Sequence, residues 1–273
     1  MDDPRLASSR LHADISRLRA QATLSWSREI EVLSRLGLRD GMSILEVGSG
    51  PGFITELLLR TLPHCSVTAV ELDPEMMDVA CERLGHDERV ELVHASILNT
   101  DLPHAAFDFA LARLVLQHLA APDLALLEIL RVLKPGGMLA VFDIDDAIGG
   151  LVSPHMPAFD TIAQRVREVQ ASRSGDREIG RKLWRLLSAA GYTDVGLEVL
   201  VFHSDELGLA PFLAQYRPER YQLFVASGGV TEEELEAYRL AYEEFVKSTD
   251  AFIFQLMLLA HGRKPLHAGW ESE

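Results

Sequence analysis

One stretch of this sequence decides the fold, Ile44-Leu45-Glu46-Val47-Gly48-Ser49-Gly50-Pro51-Gly52-Phe53. It runs from an apolar strand through three alternating glycines into a predicted helix, and an acid, Glu46, precedes the first glycine. A second apolar run, Val67-Thr68-Ala69-Val70, ends about twenty residues later on another acid, Glu71. A glycine loop lets a ligand approach the backbone closely, and an acid at the tip of the next strand is placed to bind a ribose. Loop and acid together predict a site for a nucleoside cofactor.

The glycine spacing distinguishes two classes of cofactor. Dinucleotide sites typically carry G-x-G-x-x-G, with a helix N-terminus that faces a pyrophosphate. Here Gly48, Gly50 and Gly52 form G-x-G-x-G, and Phe53 takes the place of the third dinucleotide glycine. A fixed carboxylate at Glu46 would repel a pyrophosphate, whereas it suits the ammonium and sulfonium groups of S-adenosylmethionine. The loop therefore favours S-adenosylmethionine over a dinucleotide.

Further motifs follow in a recognisable order. They are Val70-Glu71-Leu72-Asp73-Pro74, Phe107-Asp108-Phe109-Ala110, Leu116-Gln117-His118-Leu119 and Leu130-Arg131-Val132-Leu133-Lys134-Pro135-Gly136-Gly137. With the glycine loop, they resemble the motifs of class I S-adenosylmethionine-dependent methyltransferases over roughly residues 41–147. The resemblance implies a Rossmann-like α/β fold. Its seven-stranded sheet would be mostly parallel with an antiparallel last strand, and helices would cover both faces.

The apolar pattern predicts the individual elements of such a fold. Strands are predicted at 43–47, 66–71, 89–94, 107–112, 137–143, 195–202 and 252–260, and helices within 5–36 and at about 53–62, 74–84, 122–133 and 180–190. Asp73 is expected to cap the helix that begins at Pro74, and Thr231 to open another capped helix. The stretch 147–178 is predicted to lie outside the sheet.

The predicted organisation is a cofactor-binding core interrupted by two helical lid segments. Its parts are an N-terminal helical cap (1–40), the core (41–146), a lid segment (147–178), more core (179–203), a lid insertion (204–250), the last strand (251–264) and a tail (265–273). An ordinary domain does not need connections as long as the two lid segments, so we expect them to cover a substrate. A peripheral or oligomer-forming role is the alternative.

The resemblance implies a set of cofactor contacts at the ends of the strands. Glu46 and the glycines would hold the methionine moiety, Glu71 would accept both ribose hydroxyls, and Leu72 would pack beside the adenine. The family commonly has an aspartate where Ser96 stands, so the serine is expected to bind the adenine amino group more weakly. Ile97 would add an apolar wall.

The N-terminal helix supplies one further candidate. In related enzymes such a helix often folds over the cofactor, and Gln21 lies on it between Leu18 and Trp26. We therefore predict a contact between Gln21 and the cofactor.

Three candidate catalytic residues lie at or just after strand ends, where open parallel sheets hold their active sites. Arg113 ends the fourth strand and should meet an anion, either the cofactor carboxylate, a substrate acid or Glu46, unless it forms a structural ion pair. His118 follows in a predicted helix as a general base or a structural residue. Asp143 and Asp145 could bind an ammonium, deprotonate an acceptor or cap the following helix, and a solvated turn at Asp145 or Asp146 is the alternative.

Composition limits the partners. The chain has 273 residues and a net charge of −15, from 41 acids and 26 bases, which disfavours nucleic acid and anionic membranes. Cys65 and Cys81 are expected to be buried hydrophobes, and no metal-ligand spacing is present, so no metal is predicted. The N-terminus lacks a secretory pattern, and the apolar run 252–260 is too short to span a bilayer. We expect a cytoplasmic protein, with the formation of a homo-oligomer left open.

These observations predict a methyltransferase that acts on an O, N or C atom of a small, hydrophobic metabolite. Aromatic residues of the predicted lid and the last two strands support a hydrophobic partner, although they could simply form a core. A cyclisation or other non-transfer step guided by the acids, and a protein substrate, are alternatives within the same fold. An NAD-dependent oxidoreductase and a non-catalytic cofactor-binding module are the alternatives from other classes.

Overall fold

The computed structural model describes residues 4–266, with all side chains except those of residues 4–10, 12 and 13. Its helices are α1 Pro4–Leu36, α2 Phe53–Thr61, α3 Pro74–Leu84, α4 Pro122–Val132, α5 Pro157–Ser172, α6 Leu183–Ala189, α7 Ser204–Leu207, α8 Ala210–Tyr216, α9 Gln222–Ala226 and α10 Glu232–Lys247. Its strands are β1 Ser43–Val47, β2 Ser66–Glu71, β3 Val90–His94, β4 Phe107–Arg113, β5 Leu133–Asp143, β6 Gly150–Ser153, β7 Thr193–His203 and β8 Phe252–Arg263.

The chain forms two compact units. The sheet unit consists of Arg28–Asp145, Glu178–Leu200 and residues 257–266. The helical unit consists of residues 4–27, Asp146–Arg177 and Val201–Leu256. Residues 267–273, which include most of the predicted tail, and residues 1–3 lie outside the described residues.

The sheet unit has the predicted Rossmann-like architecture. Five parallel strands lie in the order β3-β2-β1-β4-β5, and β8 runs antiparallel beside β5, from the pair Met138 and Arg263 to the pair Asp143 and Leu258. Buried apolar side chains of these strands form one core with side chains of α4 and α6, such as Leu126. The predicted fold class and the antiparallel last strand are therefore confirmed.

The predicted count of seven strands is wrong, because a further strand lies inside the stretch 147–178. In the helical unit, β6 pairs antiparallel with the first residues of β8, from Gly150 opposite Gln255 to Ser153 opposite Phe252. The four residues of β6 begin at the second glycine of a pair and end just before Pro154, and they are too few to display an alternating pattern, so the sequence does not reveal this strand. The complete sheet has eight strands, with β7 paired to β8.

Two helix predictions also need correction. The helix expected at 180–190 is a 3₁₀ turn, Ile179–Lys182, followed by α6. His118 lies in a three-residue 3₁₀ turn, Leu116–His118, and not in a regular helix. Both predicted caps are confirmed: Asp73 accepts the backbone N–H groups of Glu75 and Met76, and Thr231 forms a capping box with Glu234.

The helical unit has an aromatic core built mainly from α5, α8 and α10. The ring of Phe159 lies 5.1 Å from that of Tyr216 and 5.8 Å from that of Tyr238. Tyr221 packs edge-on against Tyr238 at 5.6 Å, and Tyr238 donates a hydrogen bond to the backbone oxygen of Tyr216. Because the rings of Tyr216, Tyr221 and Tyr238 are buried, the unit can maintain a core with only a short stretch of strand.

Candidate cofactor site

The glycine loop joins β1 to α2 with three residues in the left-handed region. The φ angles of Gly48, Gly50 and Gly52 are 65°, 55° and 77°. The N–H groups of Gly48 and Ser49 both donate to the backbone oxygen of Val70, at 2.8 and 3.1 Å. The loop is therefore held against the end of β2, and L-residues with side chains rarely adopt this backbone.

The three glycines meet different surroundings. A Cβ atom on Gly48 would lie 2.5 Å from a methyl group of Val115, and one on Gly52 would lie 2.4 Å from a methyl group of Leu84. A Cβ atom on Gly50 would meet nothing within 4 Å. Gly48 and Gly52 thus permit close packing within the protein, whereas Gly50 borders open space that a ligand can use.

Glu71, at the tip of β2, ties this open side of the loop to the sheet. One carboxylate oxygen accepts the N–H of Gly50 at 2.7 Å, and the other accepts the N–H groups of Leu72 and Asp73, both at 2.8 Å. These bonds hold the carboxylate beside Gly50. Ribose hydroxyls would share its oxygens with these backbone donors.

Glu46 is buried, with 4% of its surface exposed, and its carboxyl accepts a hydrogen bond from the hydroxyl of Thr55 at 2.6 Å. Burial raises the pKa of Glu46 to about 8, against the opposing effects of the Thr55 hydrogen bond and the positive charge of Arg113. The carboxyl is therefore mostly protonated at neutral pH in this state, and a cationic ligand beside it would favour ionisation. This qualifies the expectation of a fixed negative charge.

The predicted adenine contacts lie at the ends of β2 and β3. Leu72 is 62% exposed, so its side chain is available to a ligand, while Ile97 is buried. The hydroxyl of Ser96 accepts the N–H of Leu98 at 3.3 Å and thereby shapes its own turn. Their roles toward a cofactor stay predictions.

Arg113 has a partner that the sequence analysis did not consider. Its Nε atom lies 3.1 and 3.0 Å from the two carboxylate oxygens of Glu29, which is fully buried in α1. The pair ties α1 to the end of β4. The structural ion pair, stated above as the alternative for Arg113, is therefore formed with Glu29, and the positive charge of Arg113 also acts on Glu46.

The segment after β4, residues 114–118, is held from several sides. Leu114 adopts a left-handed backbone with φ 59°, and its N–H donates to the backbone oxygen of Phe142 at 2.7 Å. The side chain of Val115 meets Gly48, and His118 is exposed. A left-handed backbone at a residue other than glycine costs conformational energy, and such residues often lie beside functional sites.

The three acids that follow β5 have separate partners. Asp143 is fully buried and accepts the N–H groups of Ile144 and Gln117, at 2.9 and 3.1 Å. Asp145 forms a two-point ion pair with Arg181 within the sheet unit. Asp146 pairs with Arg177 in the helical unit. The alternative of a solvated turn is wrong for Asp145, because only 2% of its surface is exposed.

Gln21 belongs to the helical unit, and its backbone oxygen accepts the hydroxyl of Ser25 at 3.4 Å. Its cofactor contact stays a prediction.

The residues that sequence reasoning missed are Glu29, Thr55 and Ser49. An acid between the apolar residues Trp26, Ile30 and Leu33 of α1 was a readable signal for Glu29. The other two carry no signal in a single sequence.

The residues at this site fit S-adenosylmethionine. Gly50 leaves room for a ligand, Glu71 can accept hydroxyl groups, and Glu46 can ionise beside a cation. The buried hydroxyl of Ser49 also has no hydrogen-bond partner among residues 4–266, so a ligand could satisfy it. A metal is not indicated, since no group of three or more His, Cys, Asp or Glu side chains in the described part could hold one.

A left-handed glycine loop tied to an acid, at the carboxyl edge of a parallel sheet, defines a Rossmann-like domain for an adenosyl cofactor. Comparison with known proteins makes this more specific, because residues 45–141 match the family described as "Methyltransferase domain". Residues 45–141 therefore resemble the class I methyltransferases, which use S-adenosyl-L-methionine.

Similar proteins include a malonyl-[acyl-carrier protein] O-methyltransferase of Paenibacillus sp. (strain JDR-2). It is 35% identical over 133 residues, which cover 47% of each protein. The chain spans about half the length of the curated relatives it matches.

Solved structures share the fold at lower identity. The phosphoethanolamine N-methyltransferase 2 of Haemonchus contortus, with phosphomonomethylethanolamine and S-adenosylhomocysteine, has a TM-score of 0.58 at 18% identity, covering 90% of this chain and 56% of that one. The geranyl diphosphate C-methyltransferase of Streptomyces coelicolor A3(2) has a TM-score of 0.54 at 17% identity, covering 88% and 80%. Among the described residues, no helix has the length and apolar character needed to cross a membrane.

Proposed function

We propose that this protein transfers a methyl group from S-adenosylmethionine to an O, N or C atom of a small, hydrophobic molecule. The observation that carries the proposal is the hydrogen bond from the Gly50 N–H to the Glu71 carboxylate at 2.7 Å, on the open side of the glycine loop. The G-x-G-x-G spacing of the loop, together with Glu46, which can ionise beside a cation, suits an adenosyl sulfonium better than a pyrophosphate. This argument also disfavours the NAD-dependent alternative.

The cofactor, when bound, supplies an activated methyl group for in-line displacement. The protein's contribution is orientation, because reacting groups held in line lose little further freedom on reaching the transition state. Glu71 would orient the ribose and Glu46 the methionine moiety. The segment 114–118, held by Phe142 and Asp143, would shape the adjoining wall.

The acceptor site is assigned to the helical unit, whose buried aromatic side chains suit a hydrophobic molecule. The segments 147–178 and 204–250 remain our proposed lid. Relatives and fold neighbours are named as O-, N- and C-methyltransferases, so the type of acceptor atom stays open.

His118 is our candidate general base, because it is exposed in the segment 114–118, in which Val115 contacts Gly48. Asp143 is a weaker candidate than we expected, since both carboxylate oxygens accept backbone N–H groups in a buried environment. Release of S-adenosylhomocysteine by His118→Ala and by the wild type should be compared across pH with a panel of small acceptors. Full turnover of the variant at every pH would exclude His118 as the base.

Binding measurements test the donor directly. Calorimetry should detect S-adenosylmethionine and S-adenosylhomocysteine but not NAD, and the reverse preference would overturn the proposal. Gly50→Ala should weaken S-adenosylhomocysteine binding at least tenfold. Gly41→Ala is the matched control, because Gly41 also has a positive φ (83°) and open space around its Cβ position, at a turn before β1. Equal losses in both variants would point to general destabilisation and not to the cofactor loop.

A further inference from the structure

Two arginines of the helical unit lie together with little acid to balance them. Arg17, on α1, has a side chain that is only 19% exposed, and its Nε atom lies 3.3 Å from the carboxylate of Asp14, which is 41% exposed. Arg220 has no carboxylate within salt-bridge distance among the described residues. In a chain with a net charge of −15, such a pair of cations is unusual.

Gln215 connects the two arginines. Its side-chain nitrogen donates to the backbone oxygen of Arg17 at 3.2 Å, and its own backbone oxygen accepts a hydrogen bond from the guanidinium of Arg220. Gln215 is itself buried. Arg220 lies close enough for its charge to lower the pKa of Arg17, an effect second to that of burial. Because the two positive charges repel each other, binding of an anion to both arginines is favoured.

The pair also borders the aromatic core of the unit. The guanidinium carbon of Arg220 lies 5.3 Å from the ring centre of Tyr221, and that ring contacts Tyr238. A guanidinium has five N–H donors, and each of these two arginines donates one hydrogen bond to the described residues. The remaining donors have the fork geometry that matches carboxylate and phosphate oxygens.

We infer that Arg17 and Arg220 bind an anionic group, a carboxylate or a phosphate, on a small molecule with an apolar body. The inference rests on the proposed function in that this molecule would be the methyl acceptor. It narrows the acceptor from any hydrophobic metabolite to an amphipathic anion.

Phenyl phosphate and phenylacetate are suitable probes, since each joins an aromatic body to one of the two anionic groups. Calorimetry with the full chain should detect at least one of them, and benzyl alcohol, which lacks the charge, should bind at least tenfold more weakly. Whichever anion binds more tightly identifies the type of head group. Binding of neither anion, or equal binding of benzyl alcohol, would overturn the inference.

Arg17→Gln and Arg220→Gln should each lower the affinity for the probe at least tenfold. The matched controls are Arg19→Gln, on an exposed position of the same helix, and Arg217→Gln, an exposed arginine three residues before Arg220. Both controls should stay within twofold of the wild type. Unchanged affinity in Arg17→Gln and Arg220→Gln would place the probe elsewhere and overturn the inference.

A measurement on the wild type covers the case in which these variants do not fold. The protein is labelled with ¹³C-tyrosine, and the NMR signal of Tyr221 is assigned by its absence in Tyr221→Phe. Binding of the probe should shift this signal. A probe that binds and leaves the signal unchanged would overturn the inference. S-adenosylhomocysteine binding is measured on the same samples. If the wild type does not bind S-adenosylhomocysteine, the proposed function is refuted. If it binds S-adenosylhomocysteine but not the probe, only the anion site is refuted.

Discussion

The sheet unit and the helical unit satisfy their buried polar groups in different ways. In the sheet unit, the carboxylates of Glu71 and Asp143 accept backbone N–H groups, so their positions depend on the path of the chain. In the helical unit, the buried side chains of Tyr238 and Gln215 instead donate to backbone oxygens. In these examples backbone donors position the carboxylates of the sheet unit, whereas long side chains hold the backbone of the helical unit.

One ion pair from each unit illustrates how strongly exposure can differ. Glu29 and Arg113 of the sheet unit are 0% and 10% exposed, whereas Arg239 and Glu236 of the helical unit are 44% and 55% exposed. Buried pairs are costly to break because one charge stays behind without its partner, while exposed pairs contribute little. The following experiments test this contrast.

The largest effect is expected from Glu29→Gln. The substitution removes the buried carboxylate that pairs with Arg113, so the free energy of unfolding should fall by about 3–5 kcal/mol. Urea denaturation measures this value. Arg239→Gln is the control for a surface pair and should cost about 1 kcal/mol or less. Equal losses in the two variants would contradict the contrast between the units.

Glu71→Ala should act on the donor site. Loss of the carboxylate removes the ribose acceptor and leaves the Gly50 N–H without its partner, so S-adenosylhomocysteine binding should weaken by about 1–3 kcal/mol. Glu71→Gln keeps one acceptor oxygen, so its affinity for S-adenosylhomocysteine should lie between those of the wild type and Glu71→Ala. Calorimetry that finds wild-type affinity in Glu71→Ala would show that the ribose binds elsewhere.

Tyr238→Phe is the corresponding change in the helical unit. It removes the hydroxyl that donates to the backbone oxygen of Tyr216 and should cost about 1 kcal/mol of unfolding free energy. The affinity for S-adenosylhomocysteine should stay unchanged, because the donor site depends on the sheet unit. A loss of affinity as large as in Glu71→Ala would show that S-adenosylhomocysteine binding does not depend on the sheet unit alone.

The smallest effect is a change in proton number at Glu46. Burial holds its pKa at about 8, so the carboxyl is mostly protonated at pH 7. A cationic cofactor lowers that pKa, and binding of S-adenosylmethionine at pH 7 should therefore release up to about one proton. Calorimetry in buffers of different ionisation enthalpy counts the protons. Glu46→Gln should abolish the release, and an unchanged count in that variant would exclude Glu46 as its source.

Prediction from the sequence succeeded where structure depends on neighbouring residues. The cap at Asp73 and the capping box at Thr231 follow from residue types at fixed short spacing, and both form as predicted. The five parallel strands were also predicted, because each is a continuous apolar run bounded by turn residues. The strand β6 was missed because its four residues are stabilised by β8, about a hundred residues later in the chain.

The sequence by itself determined the class of fold, the glycine loop and the identity of the donor, since each depends on local pattern and spacing. Tertiary structure alone decided that Arg113 pairs with Glu29, that burial protonates Glu46 and that Arg17 lies beside Arg220. These facts depend on which distant segments pack together and on how much water the packing removes. Charge pairing and pKa are properties of that environment, and a linear sequence does not record it.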